Sequence, residues 1–252
     1  MLEGVDVRSG TPCWVELSTA DGPPAVDFYE ALFGWEARPL SPRFERYIVF
    51  YNEGTPVGAC TSYGSPAAAG WSVYLTTADT GRSLVLAQHA GARLLSPAFA
   101  VSHLGKSAFI EDPAGASIGL WQPESFAGFD GSSRPGDPVW FELLASDWAS
   151  EASFYDAVFG LVATASGHLA GGYATLSAGG LGVAGLRSPA PGAAGVARWT
   201  PHFAVADLRA ATRALIALGG SVRGPVLERP GRRFVEVCDP AGASFHLAAP
   251  RL

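Results

Sequence analysis

Lysine is nearly missing from this sequence, since Lys106 is the only lysine among 17 basic residues. No basic cluster occurs and the formal net charge is −6, so nucleic acid is not an expected partner. No apolar run approaches the roughly 20 residues that cross a membrane. The first residues also lack the basic-then-apolar pattern of a signal peptide. We therefore expect a cytoplasmic protein that binds neither nucleic acid nor membrane.

Cysteine is scarce as well. Cys13, Cys60 and Cys238 are an odd number and form no CxxC pair, so we expect reduced thiols in the core rather than disulfides or a zinc site. The sequence also has no GxSxG or phosphate-loop motif. What it has is 48% hydrophobic and 16% charged residues over 252 positions, enough for one large or two ordinary domains with buried cores.

One stretch occurs twice, at residues 11–35 and again at 137–161, always 126 positions later. A fixed offset over many residue types indicates an internal duplication. We call residues 11–122 the first repeat and residues 137–249 the second. The residues shared by the two copies are Trp14, Glu16, Asp21, Phe28, Tyr29, Phe33 and Gly34, which recur as Trp140, Glu142, Asp147, Phe154, Tyr155, Phe159 and Gly160.

Each copy predicts a strand, a turn and a helix. Strand side chains alternate, so Val15 and Leu17 point to one face and Trp14 and Glu16 to the other. Asp21 is expected to cap the helix by accepting hydrogen bonds from its first turn, and a glycine ends the helix. The helix should pack on the Val15 face, which leaves the opposite face to a ligand.

The rest of the chain extends this pattern to four βαβββ modules, at about residues 11–62, 71–122, 137–187 and 198–249. A linker rich in Gly, Ser and Pro, residues 123–136, divides them into two predicted domains, 1–122 and 137–252. We therefore predict an α+β protein with concave, partly open sheets and helices outside them.

These motifs resemble the vicinal oxygen chelate superfamily, which includes glyoxalase I, bleomycin-resistance proteins and extradiol dioxygenases. The resemblance rests on the Asp-to-FG segments at 21–34 and 147–160 and on the DPxG turns at 112–115 and 239–242. It implies two glyoxalase-like domains in tandem, of actinobacterial type. It does not imply one activity, because the superfamily includes lyases, isomerases, dioxygenases and drug-binding proteins.

The resemblance also implies metal ligands, His or Glu, at matching points of the first and last strands of the modules. Only His246 is a usual ligand among the residues found there, and an ion needs at least three ligands in fixed geometry. We therefore predict no metal and no other cofactor. The residues at these points are Trp14, Ser72, Trp140, Thr200, Gly119 and His246.

One alternative keeps a divalent metal. Glu142, His202 and His246 should all face the concave side of the second repeat, and two histidines with one carboxylate form the facial triad of Fe(II) enzymes. Against it, Glu142 and His202 lie two residues away from the points that the resemblance implies, which is about 6.6 Å along a strand.

Aromatic rings at inward positions predict a flat surface for an aromatic ligand, with carboxylates as polar anchors or bases. The alternative is that the rings fill a closed core and the carboxylates form ion pairs. Three other histidines, His89, His103 and His168, are expected to be unimportant. The predicted ligand-binding residues are Trp14, Glu16, Tyr74, Trp121, Trp140 and Thr200, and the predicted catalytic residues are Glu142, His202 and His246.

Three functions follow from these residues. The first is metal-independent binding of a hydrophobic or aromatic small molecule, in specialised metabolism or in antibiotic resistance by sequestration. The second is a metal-free isomerase, cyclase or lyase that uses Glu142 with His202 or His246 as acid and base. The third is a metal-dependent lyase or dioxygenase. A monomer and a homodimer are both compatible with the duplication, and the first repeat is the better candidate for a scaffold.

Overall fold

The computed structural model describes residues 8–42, 44–62, 70–145, 147–165, 172–189, 196–229 and 232–250. His168 lies outside these residues. Within them, no helix has both the length and the apolar character needed to cross a membrane.

Residues 12–123 form an eight-stranded mixed sheet with strand order β2-β3-β4-β1-β5-β8-β7-β6. Within each module the first and last strands are parallel, β1 with β4 and β5 with β8. The pairs β2–β3, β3–β4, β6–β7 and β7–β8 are antiparallel. The elements are β1 Pro12–Ser18, α1 Gly22–Phe33, β2 Glu36–Pro39, β3 Tyr47–Asn52, β4 Thr55–Thr61, β5 Gly70–Thr76, α2 Thr80–His89, β6 Arg93–Val101, β7 Gly105–Glu111 and β8 Ser117–Pro123.

Residues 138–250 repeat this arrangement as a nine-stranded sheet with order β10-β11-β12-β9-β13-β17-β16-β14, and β15 pairs with β16. The predicted α+β class, built from repeated modules with open mixed sheets, is confirmed. The elements are β9 Pro138–Leu144, α3 Trp148–Phe159, β10 Val162–Ala165, β11 Tyr173–Ala178, β12 Leu181–Arg187, β13 Arg198–Ala204, α4 Leu208–Ala217, β14 Ser221–Val222, β15 Leu227–Arg229, β16 Arg232–Cys238 and β17 Ser244–Pro250.

The helix boundaries follow the predicted signals, with one exception. Gly34 and Gly160 end α1 and α3 in the left-handed conformation, at φ 75° and 69°. Asp147 caps α3 by accepting a hydrogen bond from Ser150 N–H. The predicted cap at Asp21 is wrong, because its side chain makes no capping hydrogen bond. Prolines occupy the second and third helical positions there and have no N–H group to donate.

By its contacts the chain groups into two compact units. Unit I comprises Met1–Trp14, Val73–Gly128 and Phe141–Trp199, and in it α2 packs against α3. Unit II comprises Val15–Ser72, Phe129–Trp140 and Thr200–Leu252, and in it α1 packs against α4. The predicted division into domains 1–122 and 137–252 stays a prediction.

A hydrogen-bonded chain from indole to phenol to carboxylate is buried in each unit. In unit II, Trp71 Nε1 donates to Tyr29 Oη at 2.9 Å, and Tyr29 donates to Asp239 at 3.0 Å. In unit I, Trp199 donates to Tyr155 at 2.7 Å, and Tyr155 donates to Asp112 at 2.8 Å. The DPxG aspartates therefore act as buried acceptors that join helix, strand and turn.

Candidate functional site

His202 and His246 form a stacked pair in unit II. Their strands, β13 and β17, are parallel neighbours, and the two residues are direct partners in the register, so their side chains leave the same face of the sheet. The ring centroids are 4.1 Å apart and the planes differ by 27°. The two side chains are 0% and 1% exposed. Backbone pairing of β13 and β17 thus places two imidazoles next to each other in a buried position.

The neighbouring strand β16 covers this pair with one apolar and one charged residue. The Phe234 ring meets His202 and His246 edge-on, at centroid distances of 4.7 and 5.1 Å. Glu236 is the direct antiparallel partner of His246 and is half-buried. The phenyl ring fixes both imidazole orientations, and this restricts the directions in which they can exchange protons.

Glu142 lies in unit I and forms an ion pair with Arg187, a partner that the sequence analysis did not identify. Its Oε2 is 3.1 Å from Arg187 Nε, with side-chain exposures of 1% for the acid and 16% for the base. Their strands β9 and β12 are parallel neighbours, with Glu142 in register with Gly185, so Arg187 follows two residues later on the same face. A buried carboxylate with a guanidinium partner stays ionised more readily than one without a partner.

These residues fit a metal ion in type but not in arrangement. Two imidazoles and a carboxylate are suitable ligands for Fe(II). A metal-bound nitrogen, however, uses the lone pair in the plane of its ring, and the lone pairs of two nearly parallel stacked rings do not converge on one point. The guanidinium of Arg187 beside the carboxylate also repels a cation. We therefore derive no step through a metal.

Two further predicted residues lie in the second repeat. The guanidinium carbon of Arg232 is 4.3 Å from the centre of the Trp140 ring, a cation–π contact that covers one face of the indole. Thr200 is 1% exposed on β13. Arg232 was not among the predicted residues, because neither its strand nor its distance in sequence indicates this contact.

In the first repeat the inward rings fill the space themselves. Trp14 and Trp121 are each 7% exposed and both contact Phe126, at centroid distances of 5.1 and 6.2 Å. Trp121 Nε1 also donates to the Phe126 carbonyl at 2.8 Å. Phe126 comes from the predicted linker, where no periodic pattern marks it as a core residue. These contacts support the alternative in which the indoles of the first repeat fill a core.

Tyr74 and Gly119 take the places of His202 and His246 in the first repeat. The two are direct partners on the parallel strands β5 and β8, as the histidines are on β13 and β17. A Cβ atom on Gly119 would lie 2.4 Å from Tyr74 Cδ1, so the phenol ring occupies the space of a second side chain. Phe109 packs edge-on against this ring at 5.1 Å. One bulky ring here replaces two imidazoles.

The last of the predicted ligand-binding residues is Glu16, on β1. Glu16 is half-buried, with Ala59 as its partner in the register. Burial raises the pKa of the Cys60 thiol to about 12, and the Glu16 charge adds to this shift. Burial likewise raises the pKa of Cys13 to about 12. The three free cysteines are buried, as predicted, and the two raised pKa values make Cys13 and Cys60 unreactive.

Known proteins resemble this chain over nearly its whole length. CFP32 of Mycobacterium tuberculosis (strain CDC 1551 / Oshkosh), provisionally named a glyoxylase, is 33% identical over 254 residues, which cover 97% of each chain. The anthracycline biosynthesis protein DnrV of Streptomyces peucetius is 30% identical over 258 residues, 96% of this chain and 94% of that protein. The glyoxalase-like domain family matches residues 139–248.

Solved structures show the same fold at low identity. The 2,3-dioxygenase LapB from Pseudomonas sp. KL28 superposes with a TM-score of 0.66 and 14% identity, covering 97% of this chain and 94% of that one. A Mn(II)-bound glyoxalase from Novosphingobium aromaticivorans gives 0.65 and 15%, covering 96% and 83%. The duplicated modules, the DPxG turns and the full-length relatives lead to one conclusion: the chain belongs to the vicinal oxygen chelate superfamily, among its glyoxalase-like proteins.

Proposed function

We propose that this protein is a metal-independent acid–base enzyme, an isomerase, cyclase or lyase, that acts on a planar aromatic small molecule through His202 and His246. One observation carries the proposal: the second repeat buries two histidines side by side where the first repeat has Tyr74 and Gly119. Buried ionisable groups cost stability, so the core alone gives no reason for replacing a tyrosine and a glycine with two histidines.

The role predicted for Glu142 stays a prediction, because in unit I its carboxylate forms the ion pair with Arg187.

The chemistry follows from the stacked pair. In the proposed mechanism one ring acts as the neutral imidazole and the other as the imidazolium. The neutral ring accepts a proton from a carbon next to a carbonyl group, and the charged ring donates its proton to the carbonyl oxygen as negative charge develops there. The product is an enol, and the reverse steps at another carbon complete an isomerisation. The proton balance is closed within the pair.

The proposed class of ligand rests on the Trp140 ring and on one relative. Trp140, held by Arg232, offers an aromatic surface with a fixed orientation. DnrV is named for anthracycline biosynthesis, and it matches 96% of this chain. We therefore propose a polycyclic aromatic ketone of specialised metabolism as the substrate.

Solvent deuterium exchange tests the proposed proton transfer. The purified protein, dialysed against a chelator, is incubated in D₂O with a panel of polycyclic aromatic ketones, and exchange at carbon is followed by NMR. We expect exchange with the wild type, and its loss in His202→Gln and His246→Gln. The exposed His89→Ala and His103→Ala variants are the controls. Exchange that survives both glutamine variants, or that needs added Fe(II) or Mn(II), would overturn the proposal.

Sequestration without chemistry is a second candidate, favoured by the Trp140–Arg232 contact, which prepares a binding surface and no reactive group. In that case the same panel quenches tryptophan fluorescence with saturation, and no ligand carbon exchanges. Trp140→Leu should then weaken binding, whereas His246→Gln should leave it unchanged. The two glutamine variants thus separate the two functions.

A further inference from the structure

A cavity of about 340 Å³ in unit II is not part of the site above. It lies between the turn from β1 to α1 and the DPxG turn that precedes β17. Its volume falls at the lower end of the range of ligand pockets, about 300–1,000 Å³. Its walls are Thr19, Ala20, Asp21, Pro24, Ala25, Asp239, Pro240 and Ala241.

Two buried polar residues line the cavity, Thr19 at 3% exposure and Asp239 at 4%, and Asp239 is the charged one. This carboxylate accepts hydrogen bonds from Tyr29 Oη at 3.0 Å and from Ala243 N–H at 2.8 Å. Tyr29 is itself held by Trp71. Burial raises the pKa of Asp239, and these donors act against that shift. The acceptor is thus fixed in position at the edge of a mostly apolar space.

The corresponding place in unit I is filled by the protein itself. There Asp112 has the same tyrosine and backbone donors, and Glu151 lies beside it, 1% exposed. Burial, followed by the charge of Asp112 and a hydrogen bond to it, raises the pKa of Glu151 to about 8. Ala114 N–H also donates to this side chain. At neutral pH Glu151 is therefore a neutral carboxyl group whose O–H donates to Asp112.

Ala25 stands where the second repeat has Glu151, 126 positions earlier. Ala25 is one of the walls of the cavity beside Asp239, so no carboxyl group fills this place in unit II. We propose that this cavity binds a primary carboxamide on an apolar body, whose NH₂ donates to Asp239 and whose carbonyl accepts from Ala241 N–H. This N–H also donates to Asp239, as Ala114 N–H in unit I donates both to Asp112 and to Glu151. A carboxamide has the shape and the hydrogen-bonding pattern of the neutral Glu151 carboxyl group, and it goes beyond the function proposed above.

The charge of the walls favours a neutral ligand over an anion. Asp21 and Asp239 are both acidic, and none of the eight wall residues is basic. The first turn of α1 supplies few N–H donors because Pro23 and Pro24 occupy it. A carboxylate would therefore be repelled and would lack donors, whereas an amide needs no change of protonation.

Propionamide, propionate and propylamine test the proposal, since they differ in charge and little in shape. Binding to the full-length protein is followed by amide NMR shifts and by thermal denaturation. We expect saturable binding of about one propionamide per chain in the millimolar range, with no saturation by propionate. Tighter binding of propylamine than of propionamide, or no saturation by propionamide, would overturn the proposal.

Two variants locate the site. Ala25→Glu transplants the Glu151 side chain into the cavity and should abolish propionamide binding. Glu151→Ala opens the equivalent space in unit I and should bind a second propionamide, with a rise in melting temperature that the wild type does not match. If Ala25→Glu does not fold, the second binding event in Glu151→Ala still decides. Unchanged stoichiometry in Glu151→Ala contradicts the inference.

Discussion

The two repeats share their fold but differ at a pair of positions where two parallel strands bring side chains into register. In the first repeat Tyr74 lies over Gly119, and a single ring takes all the space. In the second, His202 and His246 stack at 4.1 Å. Duplication supplied two similar scaffolds, and at these positions one is filled by a single ring and the other by two stacked imidazoles.

Other predicted site residues also differ between the two repeats in their contacts. Trp14 and Trp121 of the first repeat are covered by Phe126 and need only apolar contacts. The second repeat has instead the Glu142–Arg187 ion pair and the Trp140–Arg232 contact. Apolar filling stabilises a core at low cost, whereas a buried ion pair contributes little net stability. We infer that the first repeat serves mainly as scaffold.

The largest effect should come from removing the histidine pair. His202→Ala and His246→Ala should each lower the rate of deuterium exchange into the ligand by about 10²–10⁴-fold, the range for general acid–base catalysis. The double variant should lose little more than either single variant, because the two rings take part in the same proton-transfer step. Rates are measured at saturating ligand, with urea denaturation of each variant to separate a loss of chemistry from a loss of fold.

An additive double variant would contradict this comparison. If the two losses multiply, the rings act independently, and the stacked arrangement has no functional meaning. If neither variant changes the rate, the second repeat is as inert as the first.

The second-largest effect concerns Glu151, whose counterpart in unit II is Ala25. Glu151 has a folded pKa of about 8 against an ordinary value of 4.5, so the folded state holds its proton while the unfolded state releases it. Stability should therefore fall as the pH rises from 4.5 to 8, by at most about 1.4 kcal/mol per pH unit for this group. Below pH 4.5 both states are protonated and this contribution is constant.

Glu151→Gln should remove this slope, since the amide donates to Asp112 without an ionisable proton. The free energy of unfolding, measured by urea denaturation between pH 4.5 and 8, should become flatter in the variant and exceed that of the wild type at pH 8. Ala25→Gln, in the unit that lacks the acid, is the matched control and should leave the slope unchanged. Equal slopes in wild type and Glu151→Gln would refute the assignment.

The sequence predicted the fold because the duplication repeats its own signals. Period-two alternation identified the inward positions, and their count from the capping and DPxG aspartates predicted that His202 and His246 share a face. The sequence could not indicate the contacts of Phe126 or Arg187. The first depends on the path of the linker, and the second depends on the register between two strands. Glu151 was missed for a similar reason: an acid in the first turn of a helix is typical of an exposed residue.

The cap at Asp21 shows the opposite error. The duplicated aspartate predicted equal caps in both copies, but a cap needs donors as well as an acceptor. The donors are backbone groups, and two prolines remove them in α1. Asp21 therefore marked the start of α1 correctly, but it did not predict the capping energy, which also depends on the N–H donors.

A smaller effect should follow from adding one methyl group to the first repeat. Gly119→Ala places a Cβ atom 2.4 Å from the Tyr74 ring and should destabilise the fold by about 1–3 kcal/mol, the usual range for overpacking. Gly224→Ala, where a Cβ atom meets nothing within 4 Å, is the matched control. Tyr74→Ala should relieve the clash, so the double variant should lose less than the sum of both single losses. Additive losses, measured by urea denaturation, would show that the ring does not fill this space.

The smallest effect separates the two copies of the capping aspartate. Asp147→Ala removes a hydrogen bond to Ser150 N–H and should cost about 1 kcal/mol, whereas Asp21→Ala removes none and should stay within a few tenths. The comparison belongs at pH 6, because Asp147 also raises the pKa of Glu151, and that group is still protonated there. A residual macrodipole term would affect both variants alike and cancel in the difference. Equal losses by urea denaturation would mean that the prolines of α1 do not decide the capping energy, and that the two copies differ only in their cavities and histidines.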